Sequence, residues 1–130
     1  IAKKATHIYF IDSDMQFPPD TLNKLLAHNK DIVTVEYNRR QLPPSPVTQP
    51  LEEKSDTELY KARVIGAGCL LIKLSVFEKI EKPWFNFGRD KTGAIVIGED
   101  TWFSNTARDA GIDSWIDPKI KVNHIGEYAY

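Results

Sequence analysis

Near the start of the chain, Ile8, Tyr9, Phe10 and Ile11 form an unbroken apolar run that ends at once in Asp12, Ser13 and Asp14. A run so short, with no alternation of wet and dry faces, predicts a strand buried on both sides, as in the middle of a parallel sheet. In open α/β sheets the ligand crevice lies outside the carboxyl ends of the strands. Two carboxylates there, two residues apart, are costly to bring together unless a cation or hydrogen-bond donors compensate them. An isolated D-x-D also suits a strand followed by an Asx-type turn. The remainder of the chain has to choose between these readings.

The 130 residues suffice for one domain with a real core and not for two, so a single domain is expected over 1–130. Lys and Arg number 17 and Asp and Glu 18, for a formal net charge of −1. That balance makes no electrostatic case for nucleic acid or an anionic membrane as partner. The longest apolar run, residues 64–72, is too short to span a bilayer, so no transmembrane segment is expected. The single cysteine, Cys69, lies inside that run; it excludes an internal disulfide and fits a reducing, cytoplasmic setting.

Pro18 and Pro19 lead into TLNKLLAHNK, a helix with Asp20 as candidate N-cap and with Leu22, Leu25 and Leu26 facing the sheet. His28, near its end, reads as structural. Residues 31–37 (DIVTVEY) are β-branched and form a second strand, after which come Arg39 and Arg40. These two arginines could meet a diphosphate through bidentate contacts or could be a solvated strand exit. Residues 42–57, with four prolines, read as a flexible Pro-rich loop within the domain. Gly66 and Gly68 then interrupt a β-like stretch, which indicates close approach of the backbone to a neighbouring element or a ligand.

Residues 74–80 form a short helix with Ser75 as candidate cap, and Trp84, Phe85 and Phe87 follow in a loop. Aromatics there are core lids or platforms for sugar faces and bases. From Glu99 to Gly111 the pattern is helical, with Gly111 at the left-handed position past its end. Glu99 and Asp100 thus stand at a helix N-terminus, where capping accounts for one acid better than for two. Short strands are expected at 113–117 and 120–122, delivering Asn123, His124, Ile125 and Gly126.

Four stretches in this order, FIDSDMQFPPDTL, GAGCLLIKLSVFEKIEKPWF, GEDTWFSNTARDAG and IDPKIKVNHIG, resemble the carboxyl-side half of a GT-A fold glycosyltransferase of the family 2 type. The resemblance implies an α/β fold with a mixed, mainly parallel sheet flanked by helices, incomplete at its N-terminus. It implies Mn²⁺ or Mg²⁺ held by Asp12, Asp14 and His124, with Asp14 the direct ligand. It places Asp12, Ser13, Asp14, Gly66, Ala67, Gly68, Arg39 and Arg40 around a nucleotide-sugar donor. Asp100 matches the catalytic base of inverting members, with Glu99 as the neighbouring carboxylate, and Trp84 and Phe85 match an aromatic loop on the acceptor side.

This chemistry needs these residue types. A cation offsets charge on a departing diphosphate, and one carboxylate deprotonates the acceptor hydroxyl from the opposite face. A nucleotidyltransferase is the alternative enzyme, although the Gly-rich basic loop expected near its start is absent. A degenerate GT-A domain that only binds carbohydrate or protein is the non-enzymatic alternative. The strand at Ile8 comes so early that strands supplied elsewhere are expected beside it. Alone, the chain would expose a sheet edge and form a homo-oligomer through it.

Overall fold

The computed structural model describes residues 4–130. In chain order its elements are β1 (His7–Ile11), β2 (Met15–Gln16), α1 (Thr21–Ala27), β3 (Ile32–Val35), β4 (Gln49–Pro50), β5 (Tyr60–Val64) and β6 (Cys69–Lys73). There follow α2 (Ser75–Lys79), β7 (Gly88–Arg89), β8 (Ile95–Ile97), α3 (Glu99–Asp109), β9 (Ser114–Asp117) and β10 (Asn123–His124). Six strands form the main sheet in the order β1-β6-β3-β9-β5-β4, and β10-β2 and β7-β8 form two small ribbons.

The strands buried on both faces are β3 and β6, which is why neither alternates polar with apolar residues. One face of the sheet presents Ile32, Leu70, Ile72 and Ile116 to Val76 of α2 and to Phe103 and Ala107 of α3. The other presents Val33, Val35, Cys69 and Leu71 to Leu25 of α1 and to Ile120 and Val122. Thr34 is the polar residue inside β3; its buried hydroxyl donates to the Cys69 carbonyl at 2.7 Å, so no polar group is stranded there. By contrast β5 alternates buried and exposed residues along its whole length.

The fold is mixed α/β, but its sheet is not mainly parallel. Only β3 and β9 pair parallel, and the other four pairings of the main sheet are antiparallel. Parallel neighbours need a long crossover, usually helical, and between α1 and α2 the chain has no helix, so its strands return antiparallel. Nevertheless β1, β3 and β9 run in the same direction. Their carboxyl ends share one edge of the sheet, and β6 starts there, with Cys69 opposite Ile11.

Several local expectations are corrected. The first strand, β1, is an edge strand with Ile8 37% exposed, and its apolar run is only half covered. Leu25 alone of the three leucines is buried in α1, whereas Leu22 and Leu26 are 36% and 40% exposed. Asp20 does not cap α1 through its side chain and instead pairs with Lys24 at 3.2 Å; Ser75 lies inside α2, with Leu74 at the cap position. The last strand is β10 and not residues 120–122, where Ile120 and Val122 are core residues outside any strand.

The Pro-rich stretch is tied to the sheet at several points. Its β4 pairs with β5, Asn38 bridges Pro46, and the Val47 N–H donates to the Tyr37 carbonyl at 2.9 Å. Gly111 does take the left-handed conformation, at φ 81°. Among the described residues no helix is long and apolar enough to cross a membrane.

Phe103 ties α3 to the sheet and stacks on Phe85 with ring centroids 4.7 Å apart. Phe103→Ala should cost about 3–5 kcal/mol, measured as a lower midpoint in urea unfolding.

Candidate functional site

The carboxyl ends of β1 and β3 and the turn before β6 meet around Tyr37. Its buried hydroxyl accepts the Gly68 N–H at 2.8 Å, and the hydroxyl end of its ring lies close against Gly66 and Gly68. A Cβ on Gly66 would come within 2.7 Å of Tyr37 Cζ and of Val47 Cγ1, and one on Gly68 within 2.8 Å of Tyr37 Cζ. The two glycines are therefore required by a side chain of the protein itself. Burial pushes the Tyr37 phenol well above its ordinary range against the opposing Gly68 N–H, and the Asp100 and Asp12 carboxylates add to the shift.

Asp12 and Asp14 sit in the turn after β1, where the Asp12 N–H donates to the Gly68 carbonyl at 3.0 Å. Residue 14 is joined to the far end of the chain by backbone pairing. His124 lies opposite Met15 in the β2–β10 ribbon, and the Ile125 N–H donates to the Asp14 carbonyl at 2.7 Å. In consequence His124 Nε2 stands 3.0 Å from Asp14 Oδ2. The other ring nitrogen, Nδ1, is 2.9 Å from the Asn38 carbonyl, which can only accept, so Nδ1–H donates to it. The ring also meets Tyr37 edge-on, with centroids 5.7 Å apart. Arg40 Nε reaches the same Asp14 oxygen at 3.4 Å.

Asp14 and His124 are the side chains here that could hold a divalent cation, being of types that ligate one. A histidine that ligates through one nitrogen normally gives its other N–H to a carbonyl or carboxylate, as His124 does. Among the described residues no group of three or more acidic, histidine or cysteine side chains is placed to hold a metal ion. Asp14 and His124 come together, and Asp12 does not join them. The exposed Asp12 instead lies near enough to Asp100 to disfavour its ionisation, and Ser13 is exposed in the turn.

Asp100 and Glu99 occupy the first turn of α3, as their spacing predicts. Asp100 Oδ2 accepts the Ala67 N–H at 3.3 Å, and the Ser104 hydroxyl donates to the Asp100 carbonyl at 2.7 Å while accepting the Ile65 N–H. Burial raises the Asp100 carboxyl above the usual carboxylate range; the Ala67 N–H pulls it back in part, and Glu99 and Asp12 push it further up. A cleft of about 290 Å³ opens in front of it, lined by Arg39, Val47, Val64, Gly98, Glu99, Asp100 and Thr101. The two arginines thus separate, with Arg39 at the Asp100 cleft and Arg40 at Asp14.

Trp84 and Phe85 do not line that cleft. Phe85 stacks on Phe103 and meets Phe10 edge-on, and Trp84 packs on Phe77 at 4.8 Å. With Ile8, Phe10 and Leu74 they line an apolar groove beside the β1 edge. His28 Nε2 holds the buried Asp117 carboxylate at 2.6 Å and is structural. Sequence reasoning missed Tyr37. The Gly-x-Gly was the signal that a bulky group lies against the backbone, but nothing local tells which one.

No protein-family profile matches the chain, and no curated protein matches it. Among solved structures it is similar to A197 from STIV, with a TM-score of 0.64 and 19% sequence identity. The match covers 93% of this chain and 58% of that one, so the chain spans less than two thirds of its structural relative. The likeness is one of fold.

Two outcomes test the geometry. Gly68→Ala should cost about 1–3 kcal/mol by overpacking against Tyr37. The cost should shrink in a Tyr37→Leu background, read as a coupling energy in a double-mutant cycle of urea unfolding. For Asp100, a folded-state pKa above the unfolded one means that ionisation opposes folding. Asp100→Asn, which keeps an acceptor for the Ala67 N–H, should therefore be more stable than wild type at neutral pH. Wild type regains the difference as pH falls through the raised Asp100 value and has recovered it below the ordinary carboxyl range, as thermal melts across pH would record.

Proposed function

We propose that this chain forms the core of a GT-A-like, family 2-like glycosyltransferase that moves a sugar from a nucleotide-diphosphate donor to an acceptor hydroxyl with inversion. The observation that carries the reading is the meeting of His124 Nε2 with Asp14 Oδ2, with Nδ1 engaged by the Asn38 carbonyl, at the sheet edge where Asp100 also stands. Residues 110 positions apart are brought together there by the two-stranded ribbon of β2 and β10. In this reading Asp14 and His124 would hold Mn²⁺ or Mg²⁺, which would supply charge compensation for the departing diphosphate.

The chain's own groups do the remainder. Asp100 takes the proton of the acceptor hydroxyl as the oxygen attacks the anomeric carbon and the bond to the diphosphate breaks on the opposite face. Its raised proton affinity suits it to that role, because a base works best when its pKa approaches the operating pH. The Ala67 N–H holds the carboxylate in place, and Tyr37 holds the segment that carries Ala67. Arg39, on the cleft wall with Asp100, faces the space in which donor and acceptor meet.

The test is transfer or hydrolysis from a panel of sugar nucleotides by the full-length protein with Mn²⁺. Asp100→Asn should lower turnover by about 10²–10⁴-fold and leave donor affinity nearly intact. Asp14→Asn should instead weaken metal and donor binding together. Turnover of Asp100→Asn close to wild type rejects Asp100 as the base.

A further inference from the structure

The main sheet is blunted at one edge and open at the other. Its last strand, β4, is two residues long, contains Pro50 and carries a register shift, all of which discourage further pairing. At the opposite edge β1 runs for five residues with no proline and no acidic or lysine side chain. Among the described residues nothing pairs with its outer side. The Thr6 carbonyl accepts the Leu74 N–H at 2.9 Å and the Asp12 N–H donates to the Gly68 carbonyl at 3.0 Å, so residues 6 and 12 turn toward β6. By the alternation of an antiparallel ladder Ile8 and Phe10 do the same, and His7, Tyr9 and Ile11 present their N–H and C=O groups outward.

Both layers of the core are unfinished beside this edge. On one face Ile8 and Phe10 continue into the apolar groove formed with Leu74, Phe77, Trp84 and Phe85, about 380 Å³ in volume. On the other face Tyr9 and Ile11 are only partly buried against the second core cluster, and Leu22 and Leu26 of α1, in the same layer, are exposed. The two ends of the strand differ in charge. Lys4 precedes it and Asp12 and Asp14 follow it, with Lys4 and Asp12 open to solvent.

We propose that the occupant of this edge is a second copy of the chain, its β1 running antiparallel to the first about a two-fold axis at Tyr9. Such an axis pairs Tyr9 with Tyr9 and His7 of each copy with Ile11 of the other. These are the residues whose backbone groups face outward, so every pair exchanges both ladder bonds, and no residue of β1 is left unpaired. Ile8 of one copy stands opposite Phe10 of the other, which joins the two apolar grooves into one covered layer. Lys4 of each copy falls beside the Asp12–Asp14 turn of the other. Charge selects this direction, because a parallel pair would set Lys4 against Lys4 and Asp12 against Asp12. The pairing is independent of the transferase reading, since neither Asp100 nor the Asp14–His124 contact takes part in the ladder.

Sedimentation velocity of the 130-residue chain across micromolar concentrations should show a monomer–dimer equilibrium. His7→Pro removes an outward N–H that β6 does not use, and Ile8→Lys sets a charge at the groove where the side chain is already 37% exposed. Each should raise the dissociation constant roughly tenfold or more and leave the circular dichroism spectrum of the folded chain in place. Lys4→Glu should weaken the dimer roughly three- to tenfold at low salt, and adding Asp12→Lys should recover most of that loss. In hydrogen exchange the His7, Tyr9 and Ile11 amides should gain protection as concentration rises, whereas those of Ile8 and Phe10, bonded to β6, should be protected throughout.

A monomer at every concentration overturns the proposal. So does a dimer that His7→Pro and Ile8→Lys leave intact, because it uses another face. Protection of the three outward amides that is independent of concentration puts some other segment on the edge, and a charge swap that recovers nothing removes the antiparallel register. Either result is equally fatal.

Discussion

Burial of β3 and β6 on both faces is the constraint on which the rest of this molecule depends. Each strand sends alternate side chains into two separate apolar layers, one closed by α2 and α3 and the other by α1 and the segment around Ile120 and Val122. A one-residue slip of either strand would move every one of those side chains to the wrong layer, so the register is held from both sides. Because β6 runs between β1 and β3 and against both, its first residue is pinned at the edge where they end. The turn that feeds β6 must then lie across that edge, and the glycines of that turn take the Tyr37 ring directly against their backbone.

The acidic groups at this edge fall into two electrostatic settings. Asp14 stands between His124 and Arg40, both able to carry positive charge. Asp100 is part-buried with a single backbone donor, and its near neighbours Glu99 and Asp12 share its sign. One carboxylate is thereby paired with basic side chains, and the other stands among groups of its own sign. Tyr37 lies between the two settings, touching His124 through its ring and Gly68 through its hydroxyl, and so fixes their spacing.

The local features that sequence made legible are those whose physics is local. The helix over Glu99–Asp109 with two acids in its first turn, the left-handed Gly111 and the strand over Ile32–Val35 follow from periodicity and backbone preference. Sequence alone also marked Gly66 and Gly68 as places where something approaches the backbone. It misjudged β1, because an apolar run reports that a segment is covered somewhere and not on how many sides. It misjudged Leu22 and Leu26 for the same reason, since helical spacing cannot say how wide the neighbouring layer is.

What sequence by itself determined is therefore the inventory: D-x-D after a strand, a glycine pair, two arginines, two acids opening a helix and a histidine near the carboxyl end. Only the tertiary structure decided which of these meet. It joined Asp14 to His124 and left Asp12 with Asp100, sent Arg39 and Arg40 to different clefts, gave Trp84 and Phe85 to the apolar groove, and supplied Tyr37 as the wedge. It also set the sheet as mixed and mostly antiparallel. The physical reason is the same in each case: strand direction and cross-strand neighbours depend on long-range pairing and two-sided packing, which no window of residues contains.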